Sequence, residues 1–187
     1  MKLILASNSP RRQELLKECG FPFEIKVSDF DERAFSNDPF ITATAFSKGK
    51  AQSVFDTLPD KESHVVIGSD TVVFMDGKIL NKPTDEKDAF QMLKSLSGKT
   101  HSVVTGYCVM SARRISFGSV ETFVTFNELT EQVINEYIKS GLYKGKAGSY
   151  GIQDPFPLVK SYKGSLNNVI GLPTETLFPI INEFMRK

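Results

Sequence analysis

Tryptophan is absent from this 187-residue chain, and cysteine and histidine are scarce, two of each. Cys19 and Cys108 stand far apart and in no CxxC spacing. No disulfide framework or thiolate zinc site is indicated, and buried free thiols in a reducing compartment are expected. His64 and His101 are too few and too scattered for a multi-histidine centre. Any metal would therefore be a hard cation held by carboxylates and substrate oxygens. No apolar run is long enough to cross a bilayer. The residues from Ser7 to Arg12 also interrupt the first apolar stretch too early for a secretory signal. A cytoplasmic protein without a membrane partner is expected. Blocks of one charge are missing too: 23 basic against 22 acidic residues leave a net charge of +1. That balance argues against a nucleic-acid partner bound through bulk electrostatics. The length suits a single domain over residues 1–187, with one sizeable core or two lobes sharing one.

What the chain does have is concentrated at its start. Leu3-Ile4-Leu5-Ala6 reads as a short buried strand that stops at Ser7-Asn8-Ser9. Pro10 suits the first turn of a helix, where its missing N–H costs nothing, and Ser9 is the natural N-cap before it. Arg11 and Arg12 then fall in the first turn, where cations are electrostatically misplaced. Backbone N–H groups, hydroxyls and two guanidinium forks converge on one strand–helix mouth, an arrangement suited to a polyphosphate.

Farther along, alternation at Phe23, Ile25 and Val27 predicts a strand, and Asp29, Asp31 and Glu32 cluster in a turn. A helix is expected over about 41–55. Val65-Val66-Ile67 reads as a buried strand ending at Gly68-Ser69-Asp70-Thr71, Val72-Val73-Phe74 continues it, and Asp76-Gly77 is a hairpin turn from which Ile79-Leu80 returns. Thr84 is the expected cap of the next helix. Two long strands follow, over about 101–111 and 116–126. Thr130 caps a helix whose apolar face carries Val133, Ile134, Tyr137 and Ile138. Residues 141–157 read as a functional loop, 167–173 as another loop, and 174–185 as the last helix. Mixed strands, helices and hairpins indicate an α/β fold with a mixed sheet.

Asp70 is the carboxylate to single out, because ligands bind at strand ends in open α/β sheets; a plain turn aspartate is the rival reading. Lys82, stiffened by Pro83, is placed to act as a point charge for a phosphate. Lys50 shares a helix face with Phe46, which leans it toward the interior. Asp31 and Glu32 read either as a solvated acidic turn or as a cation site. In the Lys146–Gln153 loop, glycines permit close backbone approach, and Gln153 offers both a donor and an acceptor to a base edge.

Leu5-Ala6-Ser7-Asn8-Ser9-Pro10-Arg11-Arg12-Gln13-Glu14-Leu15-Leu16 resembles the opening signature of the Maf proteins, a family of nucleotide pyrophosphatases. The block from Gly68-Ser69-Asp70-Thr71 to Thr105 resembles the family's central region. Ala147-Gly148-Ser149-Tyr150-Gly151-Ile152-Gln153 and Val169-Ile170-Gly171-Leu172-Pro173 resemble its last two blocks, so the likeness runs through nearly the whole chain in order. It implies an elongated mixed β-sheet with flanking helices and a cleft between two lobes, like the inosine-triphosphate pyrophosphatases. It implies hydrolysis of a nucleoside triphosphate to monophosphate and pyrophosphate with a divalent cation, Mg²⁺ or Mn²⁺. A housekeeping role in nucleotide pools, linked to cell-division arrest, comes with it. Asp70 matches the family's proton acceptor, and Glu32, with Asp70, the expected metal anchor. Arg12, Thr71 and Gln153 match positions that distinguish the dTTP/UTP-hydrolysing branch, and Ser7, Arg11, Lys50 and Lys82 match other cleft positions. Departures are Gly145 where many relatives carry Asp, Phe46-Ser47 for the usual Leu-Ala, and Asp154-Pro155 after Gln153. The expected partner is the nucleotide, with a homodimer left open. Two other classes stand beside this reading: a nucleotidyltransferase, and a non-catalytic nucleotide- or DNA-binding division regulator.

Overall fold

β-branched residues carry 64–75 and 100–110 into two long strands that pair antiparallel from Val66 with Met110 to Phe74 with Ser102. Around them the computed structural model, which describes residues 1–32 and 36–186, builds a seven-stranded mixed sheet. In chain order the elements are β1 (Lys2–Leu5), α1 (Pro10–Glu18), β2 (Phe23–Ile25), α2 (Pro39–Asp56), β3 (His64–Met75), β4 (Lys78–Leu80) and α3 (Glu86–Leu96). They continue with β5 (Thr100–Met110), β6 (Ile115–Phe126), α4 (Glu131–Lys139), a 3-10 turn (Ala147–Ser149), β7 (Val159–Lys163), α5 (Leu166–Ile170) and α6 (Thr174–Met185). The strand order is β2-β1-β3-β5-β6-β7, with β4 on the β1 side of β3. β2 and β1 run parallel to their neighbours, and the hairpin strands run antiparallel. Among the described residues no helix is long and apolar enough to cross a membrane.

Alternation along β3 divides the core. On one face Val66, with Ala51, Val54 and Cys108, packs under α2. On the other, Val65 and Ile67 join Leu16, Leu177 and Ile181 of α1 and α6. Farther along that same face Val73 and Met75 join Leu93, Leu96 and Ile134 of α3 and α4. Ser69 and Thr71 stand between these two clusters, so a polar interruption parts two apolar cores, in keeping with the two lobes expected.

α2 lies unusually close to the sheet. A Cβ on Gly68 would sit 2.1 Å from the Ser47 carbonyl oxygen, and one on Gly106 2.1 Å from that of Ala43. Glycine is therefore required at both positions by contact rather than by backbone angle. Asp38 starts this helix, its carboxylate accepting from the N–H groups of Phe40 and Ile41 at 2.8 and 3.0 Å.

Several sequence expectations need correction. Asp70 is not at a strand end: β3 continues through it to Met75, because Val72-Val73-Phe74 pairs with β5 as well as Val66-Ile67 does. Ser9 occupies the N-cap position of α1 but its side chain makes no cap bond. Asp85, not Thr84, caps α3, accepting from Asp88 N–H at 2.7 Å. The 167–173 loop contains the short helix α5, capped by Ser165. β2 stops at Ile25, short of Val27, and both Ile25 and Val27 are exposed. Cys108 is buried, whereas Cys19 is partly exposed.

The close approach of α2 predicts a cost for any side chain at position 106. Gly106→Ala is expected to lower the unfolding free energy by about 1–3 kcal/mol, the usual range for overpacking. Urea denaturation reads it directly, and an unchanged midpoint would mean that α2 can retreat from the sheet freely.

Candidate active site

Asp70 and Thr71 are neighbours that project to opposite faces of β3, as strand geometry demands. Asp70 meets Lys50 of α2, and Thr71 meets Arg12 of α1. One cavity can reach both because β3 has a gap along that edge. β1 pairs only as far as Ile67 and β4 begins at Val73, so Gly68–Val72 have no strand neighbour there among the described residues. A cavity of about 450 Å³ opens at the gap, within the size range of small-ligand sites. Ser7, Arg11, Arg12, Glu32, Lys50, Asp70, Thr71, Lys82 and Gln153 all line it. The structure thus brings these nine residues together, whereas Asp31, offered with Glu32 as a cation site, is not among the residues lining the cavity.

One end of the cavity is charged. The buried Lys50 Nζ lies 2.6 Å from Asp70 Oδ1 and 2.8 Å from Glu32 Oε1, and Lys82 Nζ is 3.6 Å from Glu32 Oε2. Burial raises the Asp70 carboxyl above its ordinary value, and Lys50 and Arg12 offset only part of that. Burial also acts to raise Glu32, but the bonds and charges of Lys50 and Lys82 prevail and hold it below its ordinary value. Two adjacent carboxyls are thus driven apart, a pattern that separates a proton acceptor from a permanently charged ligand. The unsatisfied start of α1 adds backbone N–H groups at the same end, since Ser9 does not cap it.

The donor set decides which metal could fit. Among the described residues no group of three or more His, Cys, Asp or Glu forms a self-sufficient metal centre. Glu32 and Asp70 are two hard carboxylates already converging on one cation, the Lys50 ammonium. Two carboxylates suit Mg²⁺ or Mn²⁺, which complete their shells with water and phosphate oxygens. They do not suit a structural zinc, which wants four protein ligands.

Arg12 ties the floor of the cavity together. Its Nε donates to Gly171 O at 2.8 Å, and Nη1 to Ser69 O at 2.9 Å and Ser7 Oγ at 3.4 Å. Its Nη2 donates to Thr71 Oγ1 at 3.1 Å. The misplaced charge in the first turn of α1 is therefore explained by acceptors from β3 and the end of α5. A hydroxyl chain continues from it. Thr105 Oγ1 donates to Asn168 O at 2.8 Å, which uses its only proton. The 2.9 Å contact between the Thr71 and Thr105 hydroxyls must then be donated by Thr71. Thr71 accepts from Arg12 and donates to Thr105, so all it can offer a ligand is a lone pair.

Val73, Val103, Tyr150 and Ile170 supply an apolar part of the lining, to which Lys144, Lys146 and the exposed Gln153 also belong. Tyr150 is buried, its hydroxyl 2.7 Å from His101 Nε2. Sequence reasoning missed the buried pair of Lys146 with Asp154, in which Nζ lies 2.7 Å from Oδ1. It also read Tyr137 as core alone. The signal was a tyrosine on an otherwise aliphatic helix face, since a buried phenol needs a polar partner.

Comparisons with known proteins bear on this geometry. Residues 2–184 match the model of a family described as Maf-like protein. The dTTP/UTP pyrophosphatase of Clostridium novyi (strain NT) is 46% identical over 188 residues, covering 98% of this chain and 97% of that protein. The dTTP/UTP pyrophosphatase of Aquifex aeolicus (strain VF5) is 41% identical over 184 residues, covering 98% and 95%. A solved structure of the Staphylococcus aureus Ham1 protein aligns with 68% of this chain and 73% of that one, at a TM-score of 0.49 and 11% identity. That last likeness is too slight to carry weight.

The bonds of Arg12 predict that charge alone cannot replace it. In Arg12→Lys a single ammonium cannot reach Gly171, Ser69 and Thr71 together. The variant is expected to lose about 2–3 kcal/mol of stability, comparable to one or two bonds from a charged donor. Chemical denaturation checks this, and wild-type stability would mean that the fork is dispensable to the fold.

Proposed function

The chain belongs to the Maf-like protein family, and from that footing we propose that it hydrolyses dTTP and UTP to the monophosphate and pyrophosphate. The observation that carries this reading is Asp70, a carboxylate with a raised pKa on the buried Lys50 at the cationic end of the cavity. The names of its 41–46% identical relatives support the same reaction.

In this reading the triphosphate lies toward Arg11, Lys82 and the open N–H groups of α1, whose positive charge balances it. Water attacks the α-phosphorus, the bond from that phosphorus to the bridging oxygen breaks, and pyrophosphate leaves with the electron pair. Asp70 takes the proton of the attacking water. Its Oδ1 accepts from Lys50 at 2.6 Å, which leaves Oδ2 for that task. In the metal-free protein burial holds the Asp70 carboxyl above its ordinary value, the direction that suits a general base. Glu32, held ionised, would with Asp70 hold Mg²⁺ or Mn²⁺, which when bound neutralises phosphoryl charge and orients the triphosphate. Lys50 stabilises charge on both carboxylates when the nucleotide is absent.

The apolar part of the lining suits a planar base. Thr71 can only accept a hydrogen bond there, and N3–H of uracil or thymine donates one. Cytosine carries a lone pair at N3, so two acceptors would face each other. Arg12 serves this selection through Thr71, whose hydroxyl it orients. Gln153 supplies a rotatable amide for the remaining edge. An unpaired polar edge costs roughly 1–3 kcal/mol, so UTP is expected to exceed CTP by about tenfold or more in kcat/KM.

The test is product analysis on UTP, dTTP, CTP and GTP with Mg²⁺ or Mn²⁺. Monophosphate and pyrophosphate in equal amounts are expected, with UTP and dTTP preferred. Diphosphate with orthophosphate would overturn the cleavage site, and equal turnover of CTP would overturn the base reading.

Asp70→Asn keeps shape and leaves Lys50 paired with Glu32, so the fold should survive. Its kcat is expected to fall by about 10²–10⁴-fold, the usual worth of a general base. A variant with more than about a tenth of wild-type kcat would remove Asp70 from the role of base.

A further inference from the structure

One buried polar cluster plays no part in the chemistry above. Tyr137 of α4 is wholly buried, and the side chains of Lys146 and Asp154 are only 8% and 7% exposed. Lys146 Nζ lies 2.7 and 2.5 Å from the two Asp154 carboxylate oxygens. The Tyr137 hydroxyl donates to Asp154 Oδ2 at 2.6 Å and accepts from the Gly151 N–H at 3.2 Å. Residues 151–154 form a turn closed by the Asp154 N–H on the Gly151 carbonyl at 3.1 Å. Gln153 is exposed on this turn and lines the cavity. One phenol thus grips both corners of the turn that carries Gln153, a side-chain amide of the cavity lining.

A second observation shows how tightly the cluster is fitted. A Cβ on Gly151 would stand 2.7 Å from Asp154 Oδ2 and 2.8 Å from Lys146 Nζ. The ion pair is packed directly against the glycine Cα, so the turn cannot shift along its own axis without striking it. Burying a charge pair and a phenol carries a desolvation cost that an apolar trio would avoid. Stability therefore does not explain the choice of residues, whereas fixed geometry does.

We propose that Tyr137, Lys146 and Asp154 are positioning residues that lock the 151–154 turn and so hold the Gln153 amide against the substrate base. What Gln153 touches rests on the pyrophosphatase reading above; that the turn is locked does not. Tyr137 anchors the two corners, and Lys146 pairs with the Asp154 carboxylate and orients it to receive the phenol. Loosening the turn costs base selection before it costs chemistry, because Asp70 and Lys50 lie on other elements.

The test compares Tyr137→Phe, Gln153→Ala and the double variant of the full chain, reading kcat and KM for UTP and CTP. Tyr137→Phe is expected to lower the UTP-over-CTP preference about three- to tenfold, the range for one lost hydrogen bond. The loss should fall mainly on KM for UTP, and the phenol's loss should add nothing once Gln153 is alanine. Amide hydrogen exchange at residues 151–154 should quicken in Tyr137→Phe. A second variant pairing Lys146→Gln with Asp154→Asn removes the charges while keeping hydrogen-bonding groups, and should show the same loss of preference. Unchanged preference in both, or losses that multiply with Gln153→Ala, would overturn the proposal. If the wild-type protein released no pyrophosphate from UTP, the functional reading would fail instead. Exchange at 151–154 would then decide the lock alone, and exchange as slow in Tyr137→Phe as in wild type would refute it.

Discussion

The contact between Lys50 Nζ and Asp70 Oδ1, 2.6 Å long and buried between helix and sheet, sets the conditions for everything around it. A lysine and an aspartate can be held out of water only if each meets the other closely. That requires α2 to lie almost on the strands, and Gly68 and Gly106 make the approach possible by having no side chain in the way. Once Lys50 is there, Glu32 is drawn to the same ammonium, and the acidic turn after β2 becomes part of the site. Asp70 ends with a raised pKa and Glu32 with a lowered one. Two carboxyls around one ammonium thus acquire different chemistry from differences in burial and partner.

On the opposite face of β3 the organising group is a guanidinium. Arg12 donates to the carbonyls of Ser69 and Gly171, the latter shared with the Ser69 hydroxyl, and with the chain to Thr105 and Asn168 it leaves Thr71 a pure acceptor. The two faces carry different tasks. In the proposed function the α2 side handles charge and proton transfer, and the α1 and α5 side offers a fixed hydrogen-bond polarity. Both open into one cavity because β1 is short and β4 begins late along the same edge of β3. The proposed metal fits this division, since Glu32 and Asp70, the hard-oxygen donors that would hold it, belong to the charged end.

Much of the site was legible because local rules and side-chain chemistry agreed. Pro10 beginning a helix, two arginines where cations do not belong, and the Asp76-Gly77 turn were readable from short-range physics. The turn residues indeed have positive φ, 51° at Asp76 and 77° at Gly77. The lean of Lys50 followed from helical spacing with Phe46. What failed was reading Gly68-Ser69-Asp70-Thr71 as a terminus. Small and polar residues usually punctuate strands, but here the glycine admits a helix and the polar residues line a cleft while β5 keeps the strand paired. The Tyr137 cluster was invisible for a related reason: its members sit 9 and 8 residues apart along the chain, and their partnership exists only once α4 folds back over the loop.

By itself the sequence determined the mixed α/β class, most helix and strand positions, and which residues carry charge, hydroxyl or amide at the site. The class and the elements follow from propensity, periodicity and capping, which act over a few residues, while the set of site residues came from the resemblance carried by motifs in order along the chain. Only the tertiary structure decided that β1 stops short and leaves an open edge on β3. It alone decided that Lys50 reaches both carboxylates, that Thr71 offers no proton, and that Gln153 rides on an anchored turn. Each of these depends on groups brought together from distant parts of the chain. Burial and hydrogen-bond direction at such meetings are properties of the packed arrangement and of no single segment.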